Sequence, residues 1–277
     1  MTRPVRKNAK RLVLIILGGW GVRPAGEDNV IASAKTPYFD NLVANYPAGV
    51  LSVSGQTRNE RFLALRGNSP FLSDITEAGV HQAFVAETER AAFLIDTLRD
   101  KGAAVGQDLI AIVPSLAGGY EDNPGGRAKE IESRALEILK SSDYGFLAVD
   151  LSVLDLMLEN RVFKSVAKSI SRVDESLRRI GEAALENDWT MVITSYGGNA
   201  EKIRDLALDM EDNRLTSSPV PLIICGRALY GRSLQTADAP SGDLSALTPA
   251  GSLEDVGPAI LDLMGLGKKE SLVAGLL

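Results

Sequence analysis

Residues 164–201, KSVAKSISRVDESLRRIGEAALENDWTMVITSYGGNAE, set the fold class. Val166, Ile170, Val173, Leu177, Ile180 and Ala184 recur at intervals of four and three. That spacing lays one apolar stripe along an α-helix and leaves Lys168, Arg172, Glu175 and Arg179 on other faces. Thr190 to Thr194 then form a brief apolar run of the kind that strands buried on both faces show. Tyr196-Gly197-Gly198 ends it with a turn. A helix running straight into a buried strand is the repeating unit of a parallel α/β sheet.

The rest of the chain repeats this grammar. Residues 12–17, 50–54, 109–113, 146–149 and 222–225 are further strand candidates, short, rich in Val, Ile and Leu, and bounded by Gly, Pro, Asn or Asp. Thr36 reads as a helix N-cap with Pro37 in the first helical position. A helix is expected from Glu87 to Lys101, closed by Gly102. Ser252 and Asp255 resemble a capping box, with Asp in place of Glu, opening the last helix. Residues 56–80 read as irregular, and 118–126 and 235–251 as surface loops. The expectation is one α/β domain over residues 1–277, a three-layer α/β/α sandwich around a mostly parallel sheet.

Composition narrows the chemistry. In 277 residues, 45% are hydrophobic and 24% charged, which is globular usage with enough apolar surface for a core. The net charge of −6 gives no general attraction to nucleic acid or to an anionic membrane. There is one histidine, His81, and one cysteine, Cys225, so a multi-histidine metal centre and an intrachain disulfide are both excluded. Arg3, Arg6, Lys7, Lys10 and Arg11 precede the apolar run at 12–17. That run is too short for a secretory segment and ends in Gly18-Gly19-Trp20-Gly21, so it reads as a first strand. With no stretch near the roughly eighteen apolar residues of a membrane span, the chain is expected to be cytoplasmic. No phosphate-cradling, dinucleotide-binding or nucleophile-elbow motif is present, and the Gly-Gly-Trp-Gly turn alone suggests only a tight strand-to-loop connection.

Longer segments carry more. Residues 12–42, LVLIILGGWGVRPAGEDNVIASAKTPYFDNL, resemble the opening of cofactor-independent phosphoglycerate mutases, which belong to the alkaline phosphatase superfamily. Arg66-Gly67-Asn68-Ser69, residues 84–93 (FVAETERAAF), 172–201, 217–226 (SSPVPLIICG) and 252–266 (SLEDVGPAILDLMGL) follow in the family's order. The resemblance implies an alkaline-phosphatase-like fold. It also implies an inserted transferase domain that grips the phosphoglycerate, for which no room remains near residues 70–84. The family's site holds two divalent ions, manganese, magnesium or zinc, beside a serine nucleophile.

Set on this sequence, most of that site is changed. The Asp that opens the family's Asp-Gly-Trp-Gly turn is Gly18 here, and the nucleophile is kept as Ser69. The acidic residue and histidine after it become Pro70 and Ser73. A later Asp and His correspond to Asp155 and Glu159, an Asp-His pair to Tyr196 and Gly197, and a last His to Leu215. The family's lysine after Glu-Thr-Glu becomes Arg90. The resemblance therefore implies a pseudoenzyme without its ions, acting by binding a protein partner, its own copies or a phosphorylated ligand. The alternative is a rebuilt metal-dependent phosphatase or phosphotransferase using Ser69, Arg90 and Asp155.

Each residue also has a plainer reading. Ser69 before Pro70 suits a helix N-cap; with Asn68 and Arg90 it is also the candidate anion site. Asp155 and Glu159 are candidates for a hard cation, or simply a solvated acidic pair. Tyr196 is bulky enough to fill a former metal cavity, His81 reads as a loop residue rather than a base, and Trp20 and Trp189 read as packing.

Overall fold

Leu12, Leu14 and Ile16 face one side of a strand and Val13 and Ile15 the other, and all five are withdrawn from water. Such a strand needs a neighbour on each edge and a layer on each face, and the computed structural model supplies both. It describes residues 9–66, 71–87, 109–113, 126–234 and 242–267. In chain order these form β1 (Leu12–Ile16), α1 (Val30–Ser33), α2 (Pro37–Asn45), β2 (Ala48–Ser52), α3 (Arg58–Arg66), α4 (Phe71–Glu77), β3 (Gln82–Glu87) and β4 (Leu109–Val113). There follow α5 (Gly126–Lys140), β5 (Phe146–Asp150), α6 (Val153–Glu159), α7 (Val166–Glu186) and β6 (Thr190–Thr194). The short strands β7 (Arg204–Asp205) and β8 (Met210–Glu211), then β9 (Val220–Cys225), β10 (Gly251–Ser252) and α8 (Val256–Leu263) complete the set.

The sheet order is β10-β2-β9-β6-β1-β5-β3-β4, parallel except for β9, which runs against β2 and β6. β1 lies at the centre in level register: Ile16 pairs with Asp150 of β5 on one side and Thr194 of β6 on the other. One core buries the stripe of α7 with α2, α5 and α6 against one face. A second buries Phe62, Phe71, Ile75 and Ile260, from α3, α4 and α8, against the other. The expected α/β/α layering is present.

Two local expectations fail. Residues 56–80 contain the helices α3 and α4. Glu87 ends strand β3 instead of starting a helix, and residues 88–101 of that expected helix lie outside the described residues. Glu87 is tolerated there because Arg127 of α5 pairs with it at 2.8 Å, both side chains being almost inaccessible. The Ser252–Asp255 capping box is formed, and Trp20 and Trp189 are buried. His81 sits exposed in the loop before β3, its Nδ1 3.1 Å from the Asp143 carbonyl oxygen.

Candidate functional site

The three central strands end level, so the turns that follow them meet at one edge of the sheet, where α/β folds place their ligands. Hydrogen bonds knit these turns together: Leu17 N–H donates to Thr194 O at 2.8 Å, Leu151 N–H to Ile16 O at 2.8 Å, and Gly19 N–H to Gly197 O at 3.0 Å. Gly18, Asp155, Glu159, Tyr196 and Gly197 are therefore gathered at one place. Asn68, Ser69 and Arg90 lie outside the described residues.

Asp155 is the centre of the cluster. It lies in the first turn of α6 with no exposed surface, so the expectation of a solvated acidic pair is overturned. Arg58 of α3 grips it with one edge of the guanidinium, Nε to Oδ2 at 2.8 Å and Nη2 to Oδ1 at 2.8 Å. Asn199 Nδ2 donates to Oδ1 at 2.7 Å, and the Tyr196 hydroxyl donates to Oδ2. From these described residues each carboxylate oxygen thus accepts two hydrogen bonds. Glu159, one helical turn on, pairs with Arg58 Nε at 3.0 Å and is partly exposed. Burial opposes a charge on Arg58, but Asp155 and Glu159 outweigh it and hold its pKa above the ordinary arginine value.

Tyr196 is buried and its ring stacks on Phe62 of α3 at 3.9 Å between centroids. A Cβ built at Gly18 would lie 2.2 Å from Ser152 Oγ and 2.7 Å from Tyr196 Cε1. No aspartate fits there unless both neighbours move. Ser152 is held in turn: its hydroxyl donates to Asp150 and accepts from Gly18 N–H at 3.2 Å. At Gly197 a Cβ would meet Arg61 Nη1 at 2.6 Å. Leu215 is half-buried in the loop after β8, and its neighbour Thr216 ties that loop to Gly198 O at 2.9 Å.

Among the described residues, no group of three or more His, Cys, Asp or Glu side chains is arranged to hold a metal. The donor set around Asp155 does not suit two divalent ions, because its oxygens already face protein donors. A cleft of about 210 Å³ opens nearby, lined among others by Trp20, Arg23, Phe39, Val43 and Leu244, and none of the Asp155 cluster lines it.

Arg58, Arg61, Ser152 and Asn199 were not anticipated from the sequence. A signal for the first two exists: Thr57-x-x-Glu60 is a capping box, with Glu60 N–H donating to Thr57 Oγ1 at 3.2 Å and Thr57 N–H to Glu60 Oε2 at 2.9 Å. It starts a helix that carries Arg58 and Arg61 on one face.

The fold and the placement of these turns define an alkaline-phosphatase-like α/β protein. The chain belongs to the Metalloenzyme superfamily, whose model matches residues 10–268. The 2,3-bisphosphoglycerate-independent phosphoglycerate mutase of Anaplasma phagocytophilum (strain HZ) is 32% identical over 195 residues, covering 69% of this chain and 36% of that protein. The chain thus spans about a third of the length of the curated relatives it matches. Among solved structures, PH0037 from Pyrococcus horikoshii superposes with a TM-score of 0.64 at 17% identity, covering 94% of this chain and 98% of that one. Alkaline phosphatase from the Antarctic bacterium TAB5 gives 0.58 at 11% identity, covering 94% and 98%. At such identities the likeness is one of fold.

Proposed function

We propose that this chain is a catalytically inert, phosphoglycerate-mutase-like protein that acts by binding a protein partner, a second copy of itself or a phosphorylated small molecule. The observation that carries the reading is the closure at Gly18. Ser152 and Tyr196 stand where the family's first metal-binding carboxylate would have to grow. Tyr196, Gly197 and Leu215 offer no carboxylate or imidazole at the other family positions. Losing partners even one shell out from a metal reduces affinity or activity roughly 10- to 100-fold, and here direct ligands are replaced. In the same reading the two ions are gone, the inserted transferase domain is missing near residues 70–84, and the protein is cytoplasmic. Among the described residues, no helix is long and apolar enough to cross a membrane.

The competing reading, a rebuilt phosphatase or phosphotransferase using Ser69, Arg90 and Asp155, needs Asp155 for an ion. Its four hydrogen bonds to Arg58, Asn199 and Tyr196 weigh against that use. Turnover of p-nitrophenyl phosphate and of phosphoglycerates, with Mn²⁺, Mg²⁺ or Zn²⁺ added, separates the two. No turnover above buffer is expected. A metal-dependent rate that disappears in Ser69→Ala overturns the proposal.

A further inference from the structure

A carboxylate with no exposed surface, such as Asp155, is stable in a fold only when a cation or several donors face it. The family resemblance implies divalent ions for that task, and this chain assigns it to α3. We infer that Arg58 is a built-in replacement for the ion: its guanidinium neutralises Asp155 and Glu159, and Arg61 fills the space beside Gly197. The site then neither requires nor admits a divalent cation.

Three observations support this. The planar fork of Arg58 matches the carboxylate edge to edge at 2.8 Å on both oxygens, which a point charge cannot do. An ion ligated by Asp155 would sit about 2.1 Å from its oxygens, inside the position of the arginine nitrogens, so ion and guanidinium exclude each other. Arg61, three residues along the same helix, is 5% exposed and donates from Nε to the Gly55 carbonyl at 3.0 Å. Its Nη1 lies against Gly197 with no hydrogen-bond partner among the described residues. Burial lowers its pKa, and the charge of Glu201 acts in the opposite direction. Glu201 is fully buried and accepts a hydrogen bond from the Thr216 hydroxyl, which fixes that counter-charge in place.

The inference rests on the reading of the site as one without catalytic ions, but its test uses no substrate. Thermal unfolding of the full chain is followed in EDTA, in Mn²⁺ and in tens of millimolar guanidinium, with bound manganese measured after removal of free ion. The wild type is expected to melt at one temperature in EDTA and in Mn²⁺ and to retain no ion. Arg58→Ala should melt about 10 °C lower and recover part of the loss when Mn²⁺ or guanidinium enters the vacated place. Stoichiometric manganese in the wild type overturns the inference, as does an Arg58→Ala variant that melts with the wild type or responds to neither cation. Because Arg58→Ala leaves a buried carboxylate and can fail to fold, Arg58→Lys is measured alongside. It keeps the charge but loses the fork, and should melt between the other two without response to Mn²⁺. A lysine variant as stable as the wild type would also overturn it. Phosphatase activity with all these outcomes intact would defeat the functional reading alone.

Discussion

Asp155 and Asp28 are both carboxylates removed from water and held by arginine, yet they differ in what surrounds the pair. Asp155 also accepts from Asn199 and Tyr196, and Arg58 keeps about a fifth of its side chain in solvent, whereas Arg23, which donates to Asp28 Oδ2 at 2.7 Å, keeps about a third. The Arg23 hydrogen bond lowers the Asp28 pKa, burial opposing it. A carboxylate whose folded pKa lies below its unfolded value near 3.8 binds protons less readily when folded. Its contribution is therefore present above about pH 4 and lost as pH falls through the lower, folded value. Solvent around Arg23 limits that contribution to about 1 kcal/mol. Asp28→Asn should accordingly be less stable than the wild type by about that amount at pH 7, with the gap closing toward pH 3. Urea unfolding at the two pH values checks this, and a gap independent of pH would assign the loss to packing.

The start of α2 shows how one element is finished by another. Thr36 occupies the cap position but turns its hydroxyl to Asp40 at 3.1 Å, and Pro37 has no N–H to offer. The next two N–H groups, of Tyr38 and Phe39, are taken by Asp174 of α7 at 3.1 and 2.8 Å. Asp174→Ala should lower stability by about 2 kcal/mol, read as a shift in urea midpoint with unchanged slope, and Asp174→Asn by less. This division between local and distant causes also explains what the sequence revealed. The stripe of α7, the runs of β1, β4 and β6 and the Ser252 capping box are local signals, and they were legible. β3 was not, because Gln82 and Glu87 make it look polar; its tolerance of Glu87 depends on Arg127, forty residues away. Asp155 was found through the family alignment, but its partner Arg58 precedes it by 97 residues and lay in a stretch read as irregular. The identity of a ligand position is written in one residue, whereas its occupant is written in another element.

The molecule as a whole places these turns where a substrate would enter, yet ties them into its most protected part. β1 is flanked on both edges and covered on both faces, so its amides should open only when the protein unfolds globally. The turn amides continue that ladder: Gly19 N–H is bonded across to Gly197, and Ala200 N–H returns to Gly19 O at 3.0 Å, all among buried residues. An active site that admits substrate draws on elements of low local stability, and its amides exchange through local opening. Here the opposite is expected. In native-state hydrogen exchange, Gly19 and Ala200 should be protected to within about tenfold of Leu14 and Ile15, since all four would share one global opening. Exchange at the turns more than about a hundredfold faster than in β1 would mean that the edge opens on its own, as a substrate site does. Tyr196 and Ser152 would then be movable groups, and the closure at Gly18 would lose its force as evidence for an inert site. Equal protection would instead leave the Asp155 cluster closed and place any binding surface beside it, on faces such as the cleft bordered by Trp20 and Leu244.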